Sequence, residues 1–105
     1  MSQTLNTIKR LVFRRQIIWT AQSESQMSTD DLTRDEVVES ILNARLLRAK
    51  KSTSPDRRTS REKVYIIVGK TFAGLPIYTK GVIRREADRE VFYVIISARR
   101  ARSLS

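Results

Sequence analysis

The sequence contains no cysteine and no histidine. Their absence excludes disulfide bonds, Cys/His zinc sites and cysteine or Ser–His nucleophiles within this chain. Glycine occurs only at positions 69, 74 and 81, a spacing that does not form a glycine-rich phosphate-binding loop. General acid–base catalysis near neutral pH would therefore have to use a lysine or a tyrosine in a perturbed environment.

Long apolar runs are absent as well. No stretch approaches the roughly 20 residues needed to span a bilayer, and Arg14 and Arg15 interrupt the apolar segments near the N-terminus. We therefore expect no membrane partner, no signal peptide and a cytoplasmic location. The length of 105 residues, 40% of them hydrophobic, predicts a single domain over residues 1–105.

Positive charge is abundant and unevenly distributed. The chain has 21 Lys and Arg against 11 Asp and Glu, a formal net charge of +10. Residues 1–44 contain five basic and six acidic side chains, whereas residues 45–105 contain sixteen basic and five acidic ones. This asymmetry indicates a surface for an anionic partner, most commonly nucleic acid and less commonly an acidic protein.

Apolar periodicity predicts helices in the first half of the chain. Helical spacing over residues 4–15 predicts an amphipathic helix. Thr33 followed by Glu36 fits a capping box and begins a helix predicted over residues 34–45. Between these helices, residues 16–20 favour a short strand, and residues 21–31 are compatible with a loop or a short helix.

The second half of the chain predicts strands. Three apolar segments have strand character, at residues 63–71, 75–85 and 90–99, and short connections join them as hairpins. Residues 49–63 are basic and rich in Ser and Thr, which predicts a long loop. The expected architecture is an α+β fold with N-terminal helices packed on a C-terminal antiparallel β-sheet.

The basic residues of the second half are candidate phosphate ligands. Any single one can be explained as a solubilising side chain, but together they could hold several phosphates. Those of interest are Lys50, Lys51, Arg57, Arg58, Lys80, Arg84, Arg99, Arg100 and Arg102. Tyr78 and Lys80 are two residues apart and so share one face of a strand. Arg99 could donate two parallel hydrogen bonds to a phosphate, or simply guard the strand end.

Five segments follow one another in a recognisable order: LNTIKRLVFRRQIIWTAQSESQM, LTRDEVVESILNAR, STSPDRR, KVYIIVGKTFAGLPIYTKGVI and VFYVIISARRA. In this order they resemble the MqsR-like toxins of type II toxin–antitoxin systems, in the RelE superfamily. The resemblance implies a RelE-like fold and an endoribonuclease, or mRNA interferase, that cuts mRNA with no metal ion and no cofactor. It also implies a cognate antitoxin that has a zinc-binding domain, a helix-turn-helix domain or both.

The same resemblance implies site residues. Catalytic positions correspond to Lys51, Tyr78, Lys80 and Arg99, with Lys50 as an alternative register for Lys51. In the mechanism that we expect, the 2′-OH of RNA attacks the phosphate and leaves a 2′,3′-cyclic phosphate and a 5′-hydroxyl. Lys51 or Tyr78 would transfer protons, while Lys80 and Arg99 would stabilise charge on the phosphate. Flanking phosphates would bind Arg57, Arg58, Arg84, Arg100 and Arg102.

One feature of the family has no counterpart in this sequence. The active-site glutamine cannot be placed, because Gln3, Gln16, Gln22 and Gln26 all precede the predicted sheet. Two alternatives to the enzyme therefore remain open on the same fold. One is a nucleic-acid-binding module without catalysis, and the other is an adaptor whose basic face binds an acidic protein.

Overall fold

The computed structural model of the protein describes residues 3–51, 62–86 and 90–101. These residues form helices and strands in the order α1 (Gln3–Phe13), β1 (Ile17–Trp19), α2 (Ala21–Thr29), α3 (Arg34–Asn43), β2 (Leu47–Lys51), β3 (Lys63–Lys70), β4 (Pro76–Arg85) and β5 (Val91–Arg100). The α+β fold is confirmed, and residues 21–29, which were compatible with either a loop or a helix, are helical.

One five-stranded sheet has the strand order β1-β5-β4-β3-β2. Strands β3, β4 and β5 form the antiparallel meander that the sequence predicts, and β2 adds to β3 in the antiparallel sense. Strand β1 lies parallel to β5, with Ile17 opposite Tyr93. The sheet is therefore mixed, and its two edge strands come from segments that precede the meander in the chain.

The predicted loop over residues 49–63 needs a correction at its start, because residues 49–51 belong to β2. At the other end, Lys63 begins β3, as the strand predicted over residues 63–71 has it. Strand β2 escapes prediction because a solvent-exposed edge strand needs little apolar content, and lysine is a common residue on such edges. Its pairing is set instead by β3, where Leu47 lies opposite Ile67 and Ala49 opposite Tyr65.

Local chemistry sets the helix ends. Thr33 caps α3, because its hydroxyl accepts the N–H of Glu36 at 3.1 Å while the Glu36 carboxylate accepts the N–H of Thr33 at 2.9 Å. Helix α1 ends at Phe13, two residues earlier than predicted, because Arg15 adopts a left-handed backbone with φ of 62°. Helix α3 ends at Asn43 because Ala44 is extended.

The core lies between the sheet and the helices. Helix α3 packs so closely on β3 that a side-chain carbon at Gly69 would lie 1.9 Å from the carbonyl oxygen of Ser40. The buried apolar side chains of this layer come from α1, α3 and alternate positions of the strands, and include Leu5, Ile8, Val12, Val37, Ile41, Ile67, Ile77 and Ile95. The helices therefore pack on one face of the sheet, and the opposite face points away from them.

Candidate nucleic-acid interface

The outer face of the sheet, by which we mean the side pointing away from α3, follows from the position of Gly69. Successive residues of a strand alternate between faces, so Val68 points away from α3. Val68 lies directly opposite Tyr78, and Tyr78 lies directly opposite Arg99. These three side chains therefore form one row across three neighbouring strands on the outer face.

Tyr78 and Arg99 contact each other within this row. The guanidinium carbon of Arg99 lies 4.2 Å from the centroid of the Tyr78 ring, which is a cation–π contact. Both residues are half-buried. Stacking on a ring uses the flat face of a guanidinium and leaves its in-plane N–H groups able to bind a phosphate in bidentate fashion.

Lys80 and Arg48 form a second row on the outer face. Lys80 shares the face of Tyr78, as alternation along the strand predicts, and it lies opposite Ile66. Ile66 in turn lies opposite Arg48, so Arg48 also belongs to the outer face. Sequence reasoning missed Arg48, because its contribution can be recognised only when residues 47–51 are read as a strand.

The structure separates the two lysines at the end of β2. Lys50 follows Arg48 by two residues, which places it on the outer face with Tyr78. Lys51 lies opposite Lys63 and points toward the other side of the sheet. Lys50, the alternative to Lys51, therefore lies on the outer face with Tyr78. The predicted catalytic residue Lys51 does not lie on that face.

Arg84 is engaged with a carboxylate. Its Nε and Nη2 lie 3.2 and 3.1 Å from the two carboxylate oxygens of Glu62. The side chains of Arg84 and Glu62 are only 18% and 10% exposed. This bidentate pair ties the end of β4 to the start of β3, so the predicted phosphate contact of Arg84 would have to compete with it.

Arg100 lies at the edge of β5, next to α2. Its backbone N–H donates to the Asp30 carboxylate and its Nε to the Asp30 carbonyl, both at 2.8 Å. One helical turn earlier, the Gln26 side-chain oxygen accepts the N–H of Ala98 at 3.0 Å and the hydroxyl of Ser97 at 2.6 Å. Helix α2 thus covers the edge of β5 beyond β1. Arg100 is next to Arg99 of the Tyr78 row in the chain, and both residues line a cavity there with Asp30.

Three other predicted RNA-binding residues, Arg57, Arg58 and Arg102, lie outside the described residues. The acidic side chains of the first half lie on α2, α3 and the turn between them, at Glu24, Asp30, Asp31, Asp35, Glu36 and Glu39. Because the same half of the chain also has five basic side chains, it is close to neutral, whereas the outer face presents Arg48, Lys50, Lys80 and Arg99.

Tyr93 is a titratable side chain that belongs to the core. Burial raises the pKa of its phenol above the ordinary tyrosine value, and the neighbouring Tyr65 adds to this effect. In the described part of the chain, no three or more carboxylates lie close enough together to hold a metal ion. Across the same residues, no helix is both long and apolar enough to cross a membrane.

Comparison of the chain with known proteins identifies no relative. No protein-family model matches the chain, and no curated protein or solved structure matches it. The resemblance to MqsR-like toxins therefore stays a prediction.

Proposed function

We propose that the protein binds single-stranded RNA on its outer face and cleaves it without a metal ion, as the cytoplasmic toxin of a type II toxin–antitoxin pair. One observation carries the proposal. Tyr78, Lys80 and Arg99 lie together on a sheet face that points away from the helices, with Arg99 stacked on the Tyr78 ring.

Charge on the outer face supports RNA as the ligand. Arg48, Lys50, Lys80 and Arg99 come from three strands and can neutralise successive phosphates of one strand of nucleic acid. An aromatic ring among these cations gives an unpaired base a surface on which to stack. Single-stranded RNA offers both groups at once, since its bases are not hidden in a duplex.

We call Tyr78, Lys80 and Arg99 the active cluster. Its arrangement also suggests how cleavage would proceed. The 2′-oxygen forms a bond to phosphorus as the bond to the 5′-oxygen breaks, so one proton leaves the 2′-OH and another reaches the 5′-oxygen. Tyr78 is assigned to donate its phenolic proton to the 5′-oxygen, while solvent water accepts the proton of the 2′-OH and solvent then restores the phenol. Arg99 and Lys80 stabilise the charge that develops on the phosphate oxygens.

The test uses mixed-sequence RNA incubated with the purified protein in EDTA. We expect discrete fragments that end in a 2′,3′-cyclic phosphate. Tyr78→Phe removes the proton-transfer group and keeps the ring, so cleavage should fall by about a hundredfold or more while RNA binding persists. Arg99→Ala should weaken both cleavage and binding. The control is Arg14→Ala, which removes an equal charge from an exposed site after α1 and should change neither.

A second candidate is RNA binding without cleavage. The position of the glutamines favours it, since all four are described and none belongs to β3, β4 or β5. Gln16 and Gln26 use their amides to hold the backbone at Val91 and Ala98. RNA that is bound at low salt yet remains intact in the same assay would select this candidate over the enzyme.

The proposed antitoxin is an acidic protein that covers the same face. Arg48, Lys50 and Lys80 would then meet carboxylates in place of phosphates. From the resemblance, this partner would have a zinc-binding domain, a helix-turn-helix domain or both. Co-expression of the neighbouring gene product should yield a complex that no longer binds RNA, and a complex that binds RNA as well as the free protein does would contradict this assignment.

A further inference from the structure

An open cavity of mixed lining lies where β3 ends, between the end of α3 and the start of β2, and Val68 of the Tyr78 row is part of its lining. Its volume is about 620 Å³, and Leu46, Val68 and Phe72 supply its large apolar side chains. Leu46 is 80% exposed, Phe72 83% and Val68 37%. Exposed apolar side chains gathered around one cavity, in contrast to scattered ones, mark a binding surface.

The backbone around Phe72 is well held. Its N–H donates to the Glu39 carboxylate at 3.0 Å. The turn is closed on either side, because the Thr71 N–H donates to the Leu75 carbonyl and the Leu75 N–H to the Thr71 hydroxyl, each at 3.0 Å. Phe72 therefore projects into solvent from an ordered turn, so its exposure is a feature of the fold.

Val68 connects this cavity to the proposed active cluster. It lines the cavity and also lies directly opposite Tyr78, which lies opposite Arg99. Neighbouring strands are about 4.8 Å apart, so the distance from Val68 to Arg99 is about 10 Å along the row. If one nucleotide of a bound strand contacts Arg99 and Tyr78, the neighbouring nucleotides of that strand would reach the cavity.

Charge around the cavity suits the same ligand. Arg45 and Lys70 are exposed and line it together with the apolar side chains. An aromatic face flanked by two cations matches a nucleotide, whose base stacks while its phosphates pair with the cations. An acidic protein segment with apolar side chains would satisfy the same groups, and the test distinguishes it from RNA.

We propose that this cavity receives an unpaired base of the bound RNA, which stacks on Phe72 and packs against Leu46 and Val68. The inference rests on the proposed function and deepens it, since it names a second contact on the RNA and requires a single-stranded substrate. Stacking is tolerant of sequence, because every base has a flat face.

The test measures binding of a fluorescently labelled, mixed-sequence 12-nucleotide RNA whose 2′-hydroxyls are methylated so that it cannot be cleaved. Phe72→Ala should weaken binding about tenfold, within the range for loss of one base–aromatic stack. The matched control is Phe13→Ala, at a side chain that is 73% exposed on α1 and should leave binding unchanged. With an abasic oligonucleotide of equal length, Phe72→Ala should have no effect.

The outcomes separate this inference from the proposed function. If the unaltered protein does not bind the oligonucleotide, the proposed function fails and the base site fails with it. If the unaltered protein binds and Phe72→Ala binds equally well, the base site alone is wrong. If Phe72→Ala instead weakens only the binding of a peptide built of Glu and Leu, the cavity is a docking site for protein and the proposal is overturned.

Discussion

The phenol of Tyr93 has an unusual position in the core. The residue is completely buried, and its hydroxyl has no hydrogen-bond partner among the described residues. The ring occupies space left by Gly81, where a side-chain carbon would lie 2.6 Å from the ring. A buried hydroxyl without a partner loses its bonds to water and costs about 1–3 kcal/mol.

We therefore predict that Tyr93→Phe is stable and less sensitive to alkali than the unaltered protein. Burial raises the pKa of Tyr93 in the folded state, so the stability that this group contributes is fully present below the unfolded pKa of about 10. Above that pH only the unfolded chain loses the proton, and stability should fall by up to about 1.4 kcal/mol per pH unit.

Urea unfolding at pH 8 and pH 11 would measure this effect. The difference in unfolding free energy between the two pH values should be smaller in Tyr93→Phe than in the unaltered protein. An equal alkaline loss in Tyr93→Phe and the unaltered protein would mean that lysines or other tyrosines cause it.

Some of the outer-face residues could be predicted from the sequence alone. Tyr78 and Lys80 belong to a strand with strong alternation, so their shared face could be predicted from spacing. Lys50 and Lys51 could not be assigned to faces, because residues 47–51 are mostly polar and give no strand signal. Arg48 was missed for the same reason. The stacking of Arg99 on Tyr78 depends on register between strands, which one sequence does not specify.

At the scale of elements, the capping box of α3 should contribute measurably to stability. Thr33→Ala removes the hydroxyl that accepts the Glu36 N–H, and we expect a loss of about 1 kcal/mol. Thr29→Ala, at the exposed last residue of α2, should cost less than about 0.5 kcal/mol. Thermal and urea melts of the two variants compare them directly, and equal melting points would show that the cap is not stabilising.

The contact between α3 and β3 should tolerate no side chain at Gly69. Gly69→Ala would place a methyl group against the backbone of Ser40, so α3 would have to move off the sheet. We expect a loss of several kcal/mol, or failure to fold. Gly74→Ala tests a different cost, because Gly74 has φ of 91° with open space around it, and about 1–2 kcal/mol is expected. A mild effect at Gly69 in circular dichroism melts would contradict this packing.

The predictability of the elements follows their apolar content. Helix α3 and strands β3, β4 and β5 have strong periodicity or caps, and their positions were predicted to within about two residues. Strand β2 and the parallel pairing of β1 were not predicted. Short or polar edge strands are stabilised by the neighbour that they join, and that neighbour is distant in sequence.

For the whole molecule, the uneven distribution of positive charge is the property that matters for binding. Residues 1–44 are close to neutral, with five basic and six acidic side chains, whereas Arg48, Lys50, Lys80 and Arg99 lie on the outer face. This arrangement should orient an approaching polyanion toward the sheet and make association depend on ionic strength. Net charge alone would not distinguish the two faces.

Salt dependence should therefore report which face is used. For single-stranded RNA, each neutralised phosphate contributes about −0.7 to the slope of log affinity against log salt concentration. Contacts from Arg48, Lys50, Lys80 and Arg99 would give a slope of about −3. Lys80→Ala should reduce its magnitude by about 0.7, and Arg14→Ala should not. Equal slopes for these two variants would argue for diffuse attraction in place of a defined interface.

The pairing of β1 with β5 has a consequence for how the protein is made. Gln16, just before β1, bonds through its side chain to Val91, 75 positions later. Translation proceeds at about 5–20 residues per second. Strand β1 would therefore stay unpaired for roughly 4–15 s until its partner strand β5 is synthesised. Because Arg99 lies in that same late strand, a nascent chain would contain an incomplete cluster. In a chain that has not yet grown past β5, Tyr78 therefore lacks the guanidinium that stacks on its ring.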